Sequence, residues 1–263
     1  MTNGGMFVEE RKMRILERIE RQRKATVAEL CDQFRVSSAT IRSDLRDLEA
    51  AGKLIRTHGG AMVKSKTGLE QDMVQRGTQH LAEKRRIAER ALELIEDGDT
   101  VILDTGTTCL ELARLLHQRR DLTVVTNDLA IALALEAAET VRVLFMGGLV
   151  RRNYHCTIVH GSTGGEILAG LSVDKAFMAC NSFSVEKGAS TPDIMQAETK
   201  KLMMSIAAKV IVLFDASKMG RTSFALFAPL DTIETIVTDA VGAEDRARLE
   251  ENGVEVLTAE QGG

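Results

Sequence analysis

The stretch LFDASKMG, residues 213–220, places a carboxylate and an ammonium group three residues apart. An apolar run ends at Asp215, and Lys218 follows it. At the end of a buried strand, such a pair suits a site for a sugar phosphate. In an isomerase, a carboxylate would act as base at a substrate C–H and a second group as electrophile for the oxyanion. These two residues alone leave open whether the ligand is converted or only bound.

The segments around this pair alternate between helix and strand patterns from Leu81 onward. The strand patterns are nearly continuous Val, Ile and Leu, which is typical of a mostly parallel sheet covered by helices on both faces. In doubly wound sheets of this kind, ligands bind at the carboxyl ends of the strands. The residues that follow each predicted strand are therefore the candidates for chemistry.

Four of the predicted strands end in small and polar residues. One leads into DTGTT (104–108), where glycine lets backbone N–H groups approach a phosphate and the following helix N-terminus favours an anion. The others end in TND (126–128), MGG (146–148) and DASK (215–218). Because parallel strands place these ends along one edge of the sheet, the pattern predicts a single site for a polar ligand.

Basic residues are concentrated in the first quarter of the chain. Residues 1–66 hold 14 Lys and Arg against 9 Asp and Glu, whereas the remaining residues hold 20 against 29. The formal net charge of the whole chain is −4 at pH 7. A basic module on an acidic body indicates that the module meets a polyanion and the body does not.

Three helical patterns make up the basic segment. The first spans residues 8–23, and the second begins at Thr26, which forms a capping-box pattern with Glu29. The third, SATIRSDLRDLEAAG, follows a good N-cap residue, Ser37. The predicted inward side chains are Val8, Met13, Ile15, Leu16 and Ile19 in the first helix, Val27, Leu30, Cys31 and Phe34 in the second, and Ile41, Leu45 and Leu48 in the third.

The second and third helices form a helix-turn-helix pattern, in which the second helix of the pair enters the DNA major groove. Arg42 and Arg46 lie one turn apart on its outward face, where they can reach guanine edges or phosphates. The segment KLIRTHGGA (53–61) predicts a β-hairpin wing that turns at Gly59 and Gly60. The alternative is a helical bundle whose arginines form salt bridges. Their partners would be Asp44, Asp47 and Glu49.

The string ATVAELCDQFRVSSATIRSDLRDLEAAGKLIRTHGGA, residues 25–61, closely resembles the N-terminal domain of the DeoR family of bacterial transcriptional regulators. The resemblance includes the S-x-x-T-I-R-x-D-L-x-x-L-E core and the R-x-H-G-G-A wing. It implies a winged helix-turn-helix that binds double-stranded operator DNA. The candidate DNA-binding residues are Thr26, Ser37, Ser38, Thr40, Arg42, Ser43, Arg46, Arg56 and His58.

The larger domain resembles the C-terminal sensor domain of the same family through DTGTT, TND-x-x-IA, MGG-x-x-R, DKAF and E-x-K-K-x-M followed by LFDASK. That sensor domain resembles ribose-5-phosphate isomerase in fold, which implies a phosphorylated sugar or polyol as effector. Departures from the usual loops at Ser162-Thr163 and in ACNSFSVEKGAST leave the identity of the effector open. The matching effector-binding residues are Asp104, Gly106, Thr107, Thr108, Thr126, Asn127, Gly147, Gly148, Glu198, Lys200, Asp215 and Lys218.

The sequence therefore predicts an α/β protein with a winged helix-turn-helix over residues 8–62, a linker over 63–79 and a doubly wound, mostly parallel α/β sensor domain over 80–258. We expect a repressor of carbohydrate metabolism that uses no cofactor or metal. One recognition helix reads only a half-site, so a homo-oligomer, dimer or tetramer, is expected. The charged N-terminus, and the absence of an apolar run near the roughly 18 residues of a membrane span, favour a cytoplasmic protein.

Two other classes of site are less consistent with the sequence. An isomerase-like enzyme would use Asp104, Asp215 and Lys218 for proton transfer, but turnover would erase the signal of a sensor, and an isomerase gains nothing from a recognition helix. A metal site at His155, Cys156 and His160 is disfavoured, because neighbouring residues of an extended segment point to opposite faces. The four cysteines form no C-x-x-C pair and are expected to be free thiols.

Overall fold

A computed structural model describes residues 7–22, 24–51, 53–57, 59–63, 73–159, 168 and 170–259. The chain divides into two compact units, Met1–Lys66 and Thr67–Gly263. Among the described residues, no helix combines the length and the apolar character that crossing a lipid bilayer requires.

The first unit is a winged helix-turn-helix. Its helices are α1 (Val8–Gln22), α2 (Val27–Phe34) and α3 (Ser38–Ala50), and its strands are β1 (Lys24–Thr26), β2 (Leu54–Thr57) and β3 (Gly60–Val63). Strands β2 and β3 form the predicted antiparallel hairpin, and β1 pairs along β3 as a third strand that the sequence did not indicate. The predicted wing contact His58 lies outside the described residues.

Gly60 lies in strand β3, not in the turn where the sequence pattern placed it. A Cβ atom at this position would stand 2.1 Å from the carbonyl oxygen of Ala25, and β1 pairs Thr26 directly with Gly60. No Cβ fits at that distance. Glycine is therefore required here so that β1 can join the wing.

The core of the first unit is made by the predicted apolar stripes of α2 and α3 together with Ile15 and Ile19 of α1. The prediction was wrong for Val8 and Met13, which are 50% and 60% exposed. Val8 is the first residue of α1, and Met13 lies off the stripe that residues 11, 15 and 19 form at four-residue spacing. The third member of that stripe is Arg11, which is buried and pairs with Asp44 of α3.

The second unit begins with α4 (Met73–Thr78), a short helix inside the segment predicted as a linker. The other α-helices of its described residues are α5 (Leu81–Leu92), α6 (Thr107–Leu115), α7 (Leu129–Leu135), α8 (Ile194–Ser205) and α9 (Ala243–Glu251). The strands are β4 (Thr100–Leu103), β5 (Leu122–Thr126), β6 (Val141–Phe145), β7 (Leu149–Arg151), β8 (Cys156–Ile158), β9 (Val173–Ala179), β10 (Ser182–Ser184), β11 (Gly188–Thr191), β12 (Ala207–Leu213), β13 (Ala225–Ala228), β14 (Thr235–Thr238) and β15 (Glu255–Thr258).

Seven of these strands form one parallel sheet in the order β15-β14-β12-β9-β4-β5-β6, which confirms the predicted fold class. Side chains of a strand alternate between the two faces, and both faces are covered. On β12, for example, Ile211 and Leu213 pack in one apolar cluster and Val212 in the other. This burial on both faces explains why the strands read as continuous apolar runs.

Two small antiparallel sheets were not predicted. Strands β7 and β8 form a hairpin, and β10, β11 and β13 form a three-stranded sheet. Their strands are only three or four residues long, too short to show the long apolar runs of the central sheet. Both lie in segments that connect the carboxyl ends of central strands to the next element.

Candidate functional site

Helices α2 and α3 begin at two of the candidate DNA-binding residues. The Oγ1 atom of Thr26 accepts a hydrogen bond from the Glu29 N–H (3.2 Å), and the Glu29 carboxylate accepts one from the Thr26 N–H (2.7 Å). Ser37 Oγ accepts from the Thr40 N–H at 3.2 Å. The predicted caps are confirmed, and both hydroxyls already have a structural role in holding the helix-turn-helix together.

The outward face of α3 exposes Ser38, Arg42, Ser43 and Arg46, as the sequence predicted, and Thr40 is half-buried. The three carboxylates that could have neutralised these arginines bind elsewhere. The carboxylates of Asp44, Asp47 and Glu49 pair with Arg11, Lys12 and Arg56, respectively, at 2.6, 2.9 and 3.4 Å. Within the described part of the chain, Arg42 and Arg46 have no carboxylate partner, which removes the basis of the helical-bundle alternative.

A buried ion pair lies at the carboxyl end of β4. Asp104 is fully buried and Lys200 of α8 is 2% exposed, and the Lys200 ammonium donates to Asp104 Oδ2. The same carboxylate oxygen accepts from the Ala179 N–H at 2.9 Å, and Lys200 also donates to the Ala179 carbonyl at 2.9 Å. The pair thus joins β4, β9 and α8 at one edge of the sheet.

Three polar atoms around this pair are buried and have no hydrogen-bond partner among the described residues. They are Asp104 Oδ1, Thr108 Oγ1 and Asn127 Oδ1. Asn127 is held in place because its Nδ2 donates to the Thr157 carbonyl at 2.8 Å. Buried polar groups are nearly always hydrogen-bonded, so three unsatisfied oxygen atoms on two neighbouring strand ends indicate a ligand site.

Three cations gather beside this site. The Lys218 ammonium lies 3.7 Å from the Asp215 carboxylate, and this pair lies at the carboxyl end of β12, as the sequence pattern indicated. Lys84 of α5 is 3% exposed and donates to the Gln79 carbonyl at 2.6 Å and to the Arg76 carbonyl. The Arg76 guanidinium lies 4.0 Å from the place that a Cβ would take on Gly106. Arg76 therefore lies beside the DTGTT turn, and Lys84 and Lys218 lie close enough to interact electrostatically.

The charges of this cluster act on one another. The pKa of Lys84 is lowered to about 8, mainly by burial and also by the neighbouring Lys218 and Arg76 cations, while Asp215 and Glu111 oppose the shift. Burial alone would raise the pKa of Asp215, but Lys218 and a hydrogen bond from Ser217 outweigh it and the pKa is lowered. The site thus contains an ionised carboxylate and one lysine that titrates near pH 8.

Lys84 and Arg76 were missed in the sequence. Lys84 occupies an inward position of α5, on the stripe that contains Ile87, Ala88 and Ala91. A lysine on the apolar stripe of an amphipathic helix is the signal that identifies it. For Arg76 the sequence offers no specific signal, because it lies in a segment without clear periodicity.

Glu198 was predicted as an effector-binding residue, but the structure does not bring it to the site. It lies on the exposed side of α8, where its carboxylate pairs with Lys201 at 2.9 Å. Lys200 is two residues away, about 200° around a helix, and points inward. Gln196, four residues before Lys200 on the buried side of α8, accepts at Oε1 from Thr191 and Arg151 at 2.9 and 3.2 Å.

Comparison with known proteins gives matches to both units. The DeoR-like helix-turn-helix domain matches residues 11–67, and the DeoR C terminal sensor domain matches residues 79–240. The chain is 38% identical over 253 residues to the HTH-type transcriptional regulator GlpR of Haloferax volcanii, covering 96% of this chain and 98% of that protein. It is also 34% identical to the HTH-type transcriptional repressor GlcR of Bacillus subtilis (97% and 98% covered). The chain belongs to the DeoR family of transcriptional regulators.

Among solved structures, ribose 5-phosphate isomerase A of Methanocaldococcus jannaschii is similar with a TM-score of 0.40 and 18% identity, over 54% of this chain and 55% of that one. Similarity at this level carries no information about activity.

In this DeoR-family chain, two of the three TND residues, Thr126 and Asp128, make hydrogen bonds within the protein that hold the site in place. Thr126 Oγ1 accepts from the Asp128 N–H at 3.1 Å. The Asp128 carboxylate caps α7 by accepting from the Ala130 and Ile131 N–H groups (2.8 and 3.2 Å), and it accepts from Thr105 at 2.8 Å. Burial raises the pKa of Asp128, although these hydrogen bonds oppose the shift. Only Asn127 of the three residues leaves an atom for a ligand.

The two glycines of MGG have different environments in this structure. A Cβ on Gly148 would stand 2.1 Å from the carbonyl oxygen of Ile158, whereas a Cβ on Gly147 would meet nothing within 4 Å. Gly148 therefore allows the β7–β8 hairpin to close, and only Gly147 is free to vary on steric grounds.

This difference gives a matched pair of substitutions. Gly148→Ala is expected to lower the free energy of unfolding of the sensor unit by about 1–3 kcal/mol, because backbone must move to admit the methyl group. Gly147→Ala is expected to change it by less than about 0.5 kcal/mol. Urea denaturation followed by circular dichroism measures both. Equal losses for the two variants would show that Gly148 is not sterically required.

The metal site considered at His155, Cys156 and His160 is not assembled. His155 is exposed, Cys156 is buried, and His160 lies outside the described residues. In the described ranges, no group of three or more His, Cys, Asp or Glu side chains could hold a metal ion. The four cysteines are free thiols, and burial raises the pKa of Cys109, Cys156 and Cys180.

Proposed function

We propose that the protein is a cytoplasmic repressor of a carbohydrate-utilisation operon, and that it binds double-stranded operator DNA and a phosphorylated sugar or polyol effector. The observation that carries the effector class is the pairing of two kinds of group at one edge of the sheet. Arg76, Lys84 and Lys218 supply positive charge, and beside them lie the three unsatisfied oxygen atoms of Asp104, Thr108 and Asn127.

The cationic end suits a phosphate. The DTGTT turn opens helix α6, whose N-terminal N–H groups favour an anion, and Arg76 lies beside the same turn, with Lys84 close enough to interact with Arg76 and Lys218. Asp215 is already balanced by Lys218 and Lys84, so a dianion would neutralise the remaining charge of the cluster. A neutral sugar would not offset the excess of positive charge in this cluster.

The other end suits a polyol chain. The free oxygen atoms of Asp104 and Asn127 are acceptors, and a hydroxyl group donates one hydrogen bond to each. The Thr108 hydroxyl can either donate or accept. An apolar ligand would leave all three atoms buried and unsatisfied, which costs about 1–3 kcal/mol for each.

Binding without conversion is favoured over isomerisation. A general base is most effective when its pKa lies near the working pH, and enzymes raise a carboxylate pKa for this purpose. In this site the pKa of Asp215 is lowered, and Asp104 is held in an ion pair with Lys200. Neither carboxylate is arranged to remove a proton from carbon, so we infer that the domain senses its ligand and is not an enzyme.

The DNA-binding proposal rests on the outward face of α3. Its arginines, Arg42 and Arg46, are exposed and have no carboxylate partner among the described residues, and small hydroxyl residues at the helix start allow close approach to a groove. Two of the related proteins are named as a transcriptional regulator and a transcriptional repressor, which supports the same role for this chain.

The test is a gel-shift experiment with DNA from upstream of the protein's own gene, at fixed salt, against a panel of sugar and polyol phosphates. Arg42→Ala is expected to weaken binding by about 1–3 kcal/mol and to relax specificity if Arg42 reads a base, whereas loss of a phosphate contact would weaken all sequences alike. Arg14→Ala, on the exposed side of α1, is the matched control and is expected to bind normally.

One compound that changes the shift and is recovered intact supports the sensor. Absence of any shift, together with conversion of a compound, would contradict the proposal and favour the isomerase alternative.

A further inference from the structure

Half of the large apolar side chains that are exposed in the described part of the chain lie within one segment of 22 residues. We call this group the β6 edge patch. Its members are Leu129 and Leu133 of α7, Leu144 and Phe145 of β6, and Leu149 and Val150 of β7. Leu133 and Leu149 are 69% and 73% exposed, values that are unusual for leucine in a folded domain.

The members of the β6 edge patch belong to elements that touch one another. Strand β6 is the last strand of the seven-stranded sheet and pairs with β5 along one side. Helix α7 packs against both β6 and β8, and β8 pairs with β7. The backbone N–H of Leu129 also donates to the His155 carbonyl at 2.7 Å, just before β8 begins. Helix, edge strand and hairpin therefore form one continuous side of the unit.

The patch is too apolar for a surface that stays in water. Soluble monomers rarely expose an apolar patch above about 300–600 Å², and six large side chains exposed by 36–73% approach or exceed that range. A standard interface buries about 800 Å² on each partner, of which somewhat more than half is apolar. The area of the patch matches the apolar part of one such interface.

The edge strand itself is open to pairing. Within the described residues, β6 has no neighbour on its outer side, and its sequence VRVLF contains no proline and only one of the charged residues that protect edge strands, Arg142. A free strand edge presents N–H and C=O groups that another strand can satisfy. An antiparallel copy of β6 would do this and would bring the same apolar side chains together.

The charges around the patch select the occupant. Arg142 of β6 and Glu136 and Glu139 after α7 are exposed beside it, so both signs are present. Nucleic acid or an anionic membrane would require a basic rim. A surface that is apolar at the centre and carries both charges nearby is instead complementary to itself, as a two-fold interface must be.

We infer that the β6 edge patch is the surface at which a second copy of this chain docks, edge strand against edge strand, about a two-fold axis. The interface lies on the sensor unit, and the candidate effector residues Gly147 and Gly148 lie in the short segment between its strands β6 and β7. It provides the pairing of subunits that reading two half-sites requires.

The test measures the mass of the full-length chain by sedimentation equilibrium. Leu133→Glu/Leu149→Glu is expected to raise the dimer dissociation constant at least about 100-fold, because each change buries a charge at the interface. The matched control is Ile194→Glu/Phe224→Glu, which alters two other exposed apolar residues, 57% and 66% exposed, and is expected to keep the wild-type mass. Circular dichroism confirms that each variant is folded.

A dimer that the patch variant dissociates, or a tetramer that it reduces to dimers, supports the inference. A wild-type chain that is monomeric at micromolar concentration overturns it, as does a patch variant that keeps the wild-type mass. Hydrogen exchange gives an independent measurement. The outward amides of Val141–Phe145 are expected to lose protection on dilution, and protection that does not change with concentration, in a chain that dimerises, also overturns it.

Discussion

Lys200→Ala is expected to lower the free energy of unfolding of the sensor unit by about 3–5 kcal/mol. The substitution leaves the Asp104 carboxylate fully buried without its counter-charge, with only the Ala179 N–H still bound to it. It also removes a cation from above the Phe227 ring, 5.0 Å from the ring centroid. Urea denaturation at pH 7 measures the loss.

The neighbouring lysine provides the control. Lys201 pairs with Glu198 on the exposed side of the same helix, and Lys201→Ala is expected to cost less than about 1 kcal/mol. The double variant Asp104→Asn/Lys200→Met is expected to be more stable than Lys200→Ala, because no charge is left buried. If Lys200→Ala and Lys201→Ala lose the same stability, the buried pair does not hold the strand ends together.

The sequence predicted the parts of the molecule whose signals are local. Continuous apolar runs reveal strands buried on both faces, and N-cap patterns at Thr26 and Ser37 mark where helices begin. The polar residues after parallel strands must lie along one sheet edge, so the positions of Asp104, Asn127 and Asp215 in the chain are enough to place them at that edge.

What escaped prediction depends on contacts between distant residues. Nothing near Asp104 in the sequence shows that Lys200, 96 positions later, neutralises it. Arg76 approaches the DTGTT turn only because α4 packs beside α6, and its own segment has no strong periodicity. For Glu198 the sequence predicted a contact with the effector, but the structure places its side chain on the exposed side of α8. A match of short motifs gives the position of a residue along the chain, but helix phase decides which way its side chain points.

Gly148 shows why one residue type can carry two meanings. In the sequence, a glycine after a strand is equally consistent with a phosphate-binding turn and with a place where two backbone segments pack in close contact. The distance from Gly148 to the Ile158 carbonyl shows that the second explanation applies. The sequence could not reveal this, because the contact is with a hairpin partner ten residues away.

The affinity for a phosphorylated effector is expected to fall as pH rises through about 8. Lys84 has a pKa of about 8 because it is buried and lies near Lys218 and Arg76, so it is charged below this pH and neutral above it. A phosphate binds the charged form better. Because the second pKa of a phosphate monoester is about 6, the ligand does not change its charge in this range. Calorimetric titration between pH 7 and 9.5 measures the change.

Two substitutions separate Lys84 from other groups that titrate. Lys84→Met is expected to weaken effector binding at pH 7 at least about tenfold. It is also expected to remove the fall in affinity near pH 8, which we call the step. Lys218→Ala is also expected to weaken binding, but it removes a cation that lowers the pKa of Lys84. The step should therefore move toward the ordinary lysine value of 10.5. Lys201→Ala, on the exposed side of α8, should leave both the affinity and the step unchanged.

The more severe change, Lys218→Glu, replaces the cation beside Asp215 with a second carboxylate, which would repel the proposed phosphate. It is expected to abolish the effector response while DNA binding remains, because the recognition helix belongs to the other compact unit. A gel shift with and without the effector measures both properties. A Lys218→Glu protein that still responds normally would place the phosphate elsewhere. Retention of the step near pH 8 in Lys84→Met would mean that another group titrates there.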